Sequence, residues 1–385
     1  MNSKIYKVKN HINQKMVFLG AGPMSLMSTD IIIELANHFG KPIALIPSRR
    51  QVECAELGGG YVNNWSTEEF AQYVKAKDSG LNVVLSRDHC GPWQQANLSG
   101  SESQNDFKVE MDKVKTSLRA DIVSGFDLIH LDPSLAIRFG FSKIQLREII
   151  YELIDFCESV KPNYLGYEIG TEEQDAIFGD SAEMVSDLQE TLTGIQSLDL
   201  PKPLFVVQQT GTKVQELRNV GGFDWDLDVK GSFPTSFNIP RIVKTCENLG
   251  VWLKAHNVDY LGDEAKEWHR RFGIHAANVA PEFGTVETKS LIELSRMCNN
   301  SKLEDEFAVK VLNAGKWKKW MALNSKATDS EKVLIGGHYH FSDQWCVEWR
   351  EKLFEECTKK SINASLYVYS KTKDSIFQYL KKFGY

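Results

Sequence analysis

Asp88 and His89 stand side by side where the apolar run Asn82–Leu85 gives way to Ser86-Arg-Asp-His-Cys. His256 follows the run Val251–Ala255, and Glu172 lies in Gly170-Thr-Glu-Glu after Tyr164–Ile169. Two imidazoles and a carboxylate form a borderline-hard ligand set that leaves coordination positions open. Zn2+, Mn2+, Fe2+ and Co2+ would all fit, and the residues alone do not choose between them; Zn2+ is the expected ion. A substrate bound to such an ion still needs a group to move its hydroxyl proton, and an unligated carboxylate nearby serves. Asp88 is the candidate, with Asp132 and Asp259 as competitors for that role or for a second metal position. Successive strand residues point to opposite faces, so Asp88 and His89 share a site only if the strand is already ending in a bulge or turn. Glu168 and Glu173 flank Glu172, and alternation admits one parity. His130, inside an apolar run, reads as a satisfied core histidine or as a support for a ligand.

These residues need a scaffold that gathers strand ends. Apolar runs rich in Val, Ile, Leu and Phe recur as Met16–Gly20, Pro42–Ile46, Asn82–Leu85, Leu128–Leu131, Tyr164–Ile169, Leu204–Gln208, Val251–Ala255 and Gly273–Val279. A turn signal and a helix-period segment follow each of them. Continuous apolar runs suit parallel strands covered on both faces, and eight of them predict an α/β chain folded as a (β/α)8 TIM barrel over residues 1–290. Ser66 and Glu69 have the spacing of a capping box for a helix at Thr67–Ala76. A doubly wound open sheet would carry GxGxxG after the first strand, and Pro23 breaks that fingerprint. Residues 291–385 lack strand runs; Glu304–Met321 and Gln344–Lys359 are amphipathic, so a mainly helical extension packed on the barrel is expected. The insertion Gly221–Pro234 is either a lid over the mouth or a surface excursion.

A barrel places its site at the carboxyl ends of its strands. Ser48, Arg50 and Gln51 follow the second run, Ser134 the fourth, Gln208 the sixth and Asn278 the eighth, with Thr285 a little beyond. These are the candidate substrate contacts, and Ser48, Arg50, Asn278 and Gly284-Thr285 are the candidates for gripping a phosphate. The 385-residue chain has a formal net charge of -6 with both signs intermixed, which argues against a nucleic-acid face. No secretory h-region and no long apolar span are present, so a soluble, cytoplasmic protein without a membrane partner is expected. Its seven cysteines contain no CxxC pair and read as small buried residues in a reducing compartment.

Taken together, several strings resemble the class II tagatose-bisphosphate aldolase accessory-subunit family, whose relatives include fructose-6-phosphate/tagatose-6-phosphate 4-epimerases. The strings are Ser48-Arg-Arg-Gln-Val, Gly59-Gly-Tyr, Arg87-Asp-His-Cys-Gly-Pro, Ile129-His-Leu-Asp-Pro-Ser, Ile169-Gly-Thr-Glu, Ala255-His-Asn-Val-Asp-Tyr and Phe341-Ser-Asp, spanning residues 16 to 345. The resemblance implies acid/base work for Asp88 and metal binding for His89, Glu172 and His256. It matches Asp132 and Ser134 to a strand-four Asp-x-Ser, and Asn278 to a strand-eight Asn near the substrate phosphate. Retro-aldol/aldol chemistry on a ketose phosphate follows, with 4-epimerisation preferred over cleavage. The alternative is a non-catalytic accessory subunit that stabilises a class II aldolase, so either a homo-oligomer or an aldolase partner subunit is implied. Arg87, Cys90 and Trp93 replace the usual Gly, Leu and Asn, and Arg49-Arg50 stand where relatives carry Ser-Asn. Trp93 and the extra arginines predict a changed or more negatively charged substrate.

Overall fold

The computed structural model describes residues 3–95, 101–170, 181–208, 210–223 and 234–385. Eight parallel strands close into a barrel in chain order, the last returning to the first. They are β1 (Phe18–Ala21), β2 (Ile43–Leu45), β3 (Val83–Cys90), β4 (Leu128–Leu131), β5 (Gly166–Ile169), β6 (Phe205–Val207), β7 (Trp252–Ala255) and β8 (Ala276–Val279). Each begins within one of the apolar runs, and β3 continues beyond its run as far as Cys90. Crossover helices follow: α2 (Leu26–Phe39), α3 (Thr67–Lys77), α4 (Phe107–Val123), α5 (Lys143–Val160), α6 (Ser181–Ser197), α7 (Pro234–Asn248), α8 (Asp263–Arg271) and α9 (Pro281–Met297). The Ser66–Glu69 capping box forms as its spacing requires.

Strand alternation divides the core into an inner and an outer part. Phe18, Ala44, Val84, Leu128, Phe205 and Ala276 point inward and fill the amino-terminal half of the barrel. Val8 and Ile12 of α1 (Ser3–Asn13) join that cluster and close the barrel's base. Lys4 of the same helix donates to the Val83 carbonyl at 2.6 Å. Leu19, Leu45, Leu85, Ile129, Tyr167, Val206, Leu253 and Ala277 alternate outward against the helices. Each large side chain buried in this way contributes about 1.5–3 kcal/mol.

Beyond β8 the described chain is helical, with α9 followed by α10 (Ser301–Ala314), α11 (Asp329–Gly336), α12 (Gln344–Lys359) and α13 (Ala364–Phe383). Leu291, Leu294, Leu303, Phe307, Trp349 and Leu353 form a second core, while Phe283 belongs to the barrel's. The expected boundary at 290/291 therefore falls inside α9. Helix α13 returns to the barrel, where Ile376, Tyr379, Leu380 and Phe383 join the outer core. The final residue also docks, its Tyr385 hydroxyl accepting from Leu19 N at 3.0 Å and donating to the Pro42 carbonyl at 2.8 Å. The seven cysteines are buried free thiols. Among the described residues no helix is long and apolar enough to cross a membrane. Residues 224–233, most of the insertion expected as a lid or excursion, lie outside the described residues.

Candidate functional site

Alternation turns Ser86, His130, Glu168, Lys254, His256 and Asn278 into the barrel above the apolar layer. Their neighbours Ile129, Tyr167, Leu253, Ala255 and Ala277 pack on the helices. Strand β3 departs from this rule where the chemistry requires it. Its register with β4 shifts between Arg87, opposite Ile129, and Cys90, opposite Leu131, so β3 holds one residue more than its partner. His89 absorbs the extra residue with a left-handed φ of 45°, a conformation that costs a non-glycine residue about 1–2 kcal/mol. The bulge lets Asp88 and His89 both face the mouth and returns Cys90 to the helix layer.

Asp88, His89, His130 and His256 each offer a ligand atom, and these atoms lie within 4.8 Å of one another. The His89, His130 and His256 rings form a triangle with centroids 5.0–5.1 Å apart. Around it, Asp132 Oδ2 lies 2.6 Å from His89 Nδ1 and also accepts from Gln94 Nε2 at 2.9 Å. Asp132 thereby orients the His89 ring and leaves Nε2, 3.7 Å from Asp88 Oδ2, facing the cluster. His256 Nε2 sits between Glu168 Oε1 at 3.0 Å and Asn278 Nδ2 at 3.2 Å. Glu168 Oε2 is held by buried Lys254 at 2.6 Å, and Asn278 Nδ2 also donates to Asp88 Oδ1 at 3.1 Å. Gly20 pairs with Asn278 across β1 and β8 and makes room for its side chain, since a Cβ there would lie 2.2 Å from Asn278 Oδ1.

The electrostatics favour a cation. Burial opposes charge on Asp88, but His89, a hydrogen bond with His130 and the nearby His256 outweigh it and hold this carboxyl well below its usual range. Burial alone would lower His89; Asp88 and Asp132 reverse this and raise it to about 9. Burial would also raise Glu168, yet Lys254 and the histidines bring it down to about 2. His256 falls to about 4 because burial outweighs its bond to Glu168. The carboxylates of Asp88, Asp132 and Glu168 thus surround the imidazoles with Lys254 beside them, and the same carboxylates that raise His89 would stabilise a divalent ion there. The donor set fits such an ion: three convergent imidazoles beside the Asp88 carboxylate, including a buried His130 Nε2 with no hydrogen-bond partner.

The cluster opens into a cavity of about 690 Å³ whose wall includes Ser48, Arg50, Gln51, Asp132, Ser134 and Gly170, within the usual range for small-molecule sites. Ser48 bridges to Asp88 in parallel register, and Gln51 Oε1 accepts from Ser48 N at 2.9 Å. Ser134 N donates to Asp132 Oδ1 at 3.0 Å. Glu172 lies outside the described residues.

Other expected site residues are occupied elsewhere. Asp259 Oδ1 accepts the backbone N–H groups of Ala280 and Glu282, both at 2.9 Å, at the start of α9. It serves as a helix-end acceptor and is not one of the clustered groups. Gln208 shares the parity of Val206 and lines a small pocket with Asp187 and Thr191 of α6, whereas Val207 faces the cavity. Thr285 is tied to the Tyr260 hydroxyl at 2.9 Å, and Gly284 packs on the His338 ring, so this pair does not line the mouth. The expectation that Trp93 and both loop arginines shape the substrate is also corrected. Trp93 is buried and stacked 4.2 Å from Phe139. Arg49 is buried against Glu53 at 2.7 Å, and Arg87 is buried against Asp121, donating to the Pro47 and Val52 carbonyls. Arg50 alone of these reaches the cavity.

From the sequence, His130 has only a core or supporting role and Glu168 only a place beside Glu172, and Lys254 is not singled out. Their signal was a period-two register, with His130 opposite Glu168 across β4 and β5.

No protein-family model and no curated protein matches this chain. Its structure is similar to that of a probable tagatose 6 phosphate kinase from Sinorhizobium meliloti 1021, with 14% sequence identity, covering 95% of this chain and 100% of that one, at a TM-score of 0.72. It is also similar to a fructose-bisphosphate aldolase (Fba) from Campylobacter jejuni, with 11% identity, covering 91% of this chain and 93% of that one, at a TM-score of 0.51. At these identities the likeness establishes the shared barrel fold.

Proposed function

We propose that the protein is a divalent-metal-dependent enzyme that performs retro-aldol/aldol chemistry on a ketose phosphate, with 4-epimerisation as its net reaction. The observation that carries this reading is the convergence of Asp88, His89, His130 and His256, the first three of which lie on the wall of a cavity with mixed polar and apolar lining. The names of the two similar structures, a probable tagatose 6 phosphate kinase and a fructose-bisphosphate aldolase, accord with a phosphorylated sugar.

His89, His130 and His256 would hold the ion, with Zn2+ foremost. Bound there, a divalent ion supplies Lewis acidity that stabilises negative charge developing on the sugar's oxygens. Asp88, ionised and fixed by Asn278, accepts the C4 hydroxyl proton as the C3–C4 bond breaks. The electrons of that bond pass into the C1–C3 fragment as an enediolate, and C4 becomes an aldehyde carbon. If the aldehyde turns before the bond re-forms, Asp88 returns the proton to the C4 oxygen and the product is the C4 epimer. Direct proton abstraction at C4 is disfavoured because that hydrogen is not adjacent to the carbonyl. Asp132 keeps His89 oriented throughout, and the Lys254–Glu168 pair does the same for His256.

The test is to incubate metal-loaded protein with fructose 6-phosphate and related ketose phosphates and follow the products by NMR. A C4 epimer or triose products support the reading. No turnover by this chain, with activity appearing only in an aldolase to which it is added, would assign it the accessory role instead.

A further inference from the structure

The segment after the barrel brings a second group of side chains to the mouth. Two 3-10 turns, Lys316–Trp320 and Gly337–His340, place Lys319, Trp320 and Tyr339 on the same cavity wall as Arg50 and Tyr61 from the loop after β2. The rings form a continuous surface. Tyr61 and Tyr339 have centroids 5.0 Å apart, and Trp320 Nε1 donates to the Tyr339 hydroxyl at 2.9 Å. Lys319 Nζ stands 4.8 Å from the Trp320 ring centre and 4.9 Å from that of Tyr339, within cation–π range. Desolvation in the cavity wall and the nearby Arg50 charge lower Lys319 from 10.5 to about 7, so an anion between the two would draw its proton back; the Arg50 charge also reaches Tyr61 and Tyr339.

Neighbouring Arg49 is neutralised by Glu53, whereas Arg50 and Lys319 have no carboxylate partner among the described residues. Two like charges facing one cavity repel each other until an anion lies between them. A guanidinium and an ammonium together suit the oxygens of a phosphate, and an aromatic wall suits the carbon face of a sugar. We infer that the loop after β2 and the C-terminal segment jointly form the subsite for the substrate's phosphate monoester, with Arg50 and Lys319 as its cationic ligands. This rests on the reading that the cavity takes a phosphorylated sugar; it keeps Arg50 from the expected phosphate contacts and puts Lys319 in place of Gly284-Thr285.

Inorganic phosphate is the probe, titrated calorimetrically into the full chain and into Lys319→Met, Lys319→Gln and Arg50→Met. Lys319 is exposed, so its replacement leaves the core intact, and melting curves verify folding. Wild type is expected to bind phosphate saturably and each variant at least about 10-fold more weakly, with KM for a ketose phosphate rising by a similar factor while kcat changes little. No saturable binding by wild type, or equal binding in the folded variants, overturns the subsite. Phosphate binding through these cations without turnover of any ketose phosphate would sink the reaction proposed above and leave the subsite standing. Turnover with an unchanged KM in Lys319→Met would sink the subsite and leave the reaction.

Discussion

Asp88 Oδ1 takes a hydrogen bond from Asn278, and Oδ2 faces the His89 ring at 3.7 Å. An Asn at this position preserves the shape and removes the capacity to accept a proton. Asp88→Asn is expected to retain bound metal, measured by elemental analysis, and to lose turnover by about 10²–10⁴-fold; a variant that loses the metal would make Asp88 a ligand. Asp259 is expected to behave differently. Burial and the adjacent Glu282 raise its carboxyl from 3.8 to about 7, so between these values the folded chain holds a proton that the unfolded chain has released. Its contribution to stability therefore falls as pH rises from about 3.8 through about 7 and stays low above that. Asp259→Asn keeps an oxygen for the Ala280 and Glu282 N–H groups and cannot ionise. Denaturant unfolding should find it more stable than wild type by roughly 1–3 kcal/mol at pH 8, with the difference gone near pH 4 and turnover unchanged. A large loss of turnover would return Asp259 to the chemistry. At this scale the sequence made Asp88, His89 and His256 visible because each follows an apolar run. His130 stood inside such a run, where its type could not reveal which residues it would meet.

Strand geometry decides which of these residues cooperate. The runs were legible because parallel strands buried on both faces read as continuous apolar segments. Their parity followed once the inward positions were known: it turns Gln208 away from the mouth and His130 toward it. The β3 bulge was anticipated only as a condition, since nothing in Arg87-Asp-His-Cys requires a left-handed His89. The β1–β8 seam supplies a sharper test. A Cβ at Gly20 would meet Asn278 Oδ1 at 2.2 Å and Ile46 Cγ2 at 3.1 Å, so Gly20→Ala must push Asn278 off Asp88 and His256. Turnover is expected to fall by about 10²-fold through misplacement, and stability by about 1–3 kcal/mol through overpacking. Kinetics together with a melting curve measure both; wild-type kinetics in this variant would remove Asn278 from the positioning network.

Across the whole molecule, the chain after β8 is part of the barrel's covering as well as a core of its own. The Tyr379 hydroxyl lies 2.5 Å from Glu282 Oε2 and 3.2 Å from the Val258 carbonyl, fastening α13 to the first turn of α9 and the loop after β7. A chain ending at residue 363 would expose the outer barrel surface that Ile376, Leu380 and Phe383 cover. It is expected to be unfolded or aggregated by circular dichroism and light scattering, and a cooperative melt from such a chain would show α13 to be dispensable. The helical character of this region was legible from its amphipathic periods. Its return to β1 and its delivery of Lys319 to the mouth were not, because contacts between residues hundreds apart leave no local pattern. Helix α1, which closes the base through Val8 and Ile12, was hidden for the same reason. The central claim concerns the metal, and it is tested most directly by titrating Zn2+ against a competing chelator into wild type and His256→Gln. The account predicts a single tight site in wild type, weakened by more than about 100-fold in the variant. Failure of wild type to bind Zn2+, or equal affinity in the two proteins, would contradict it.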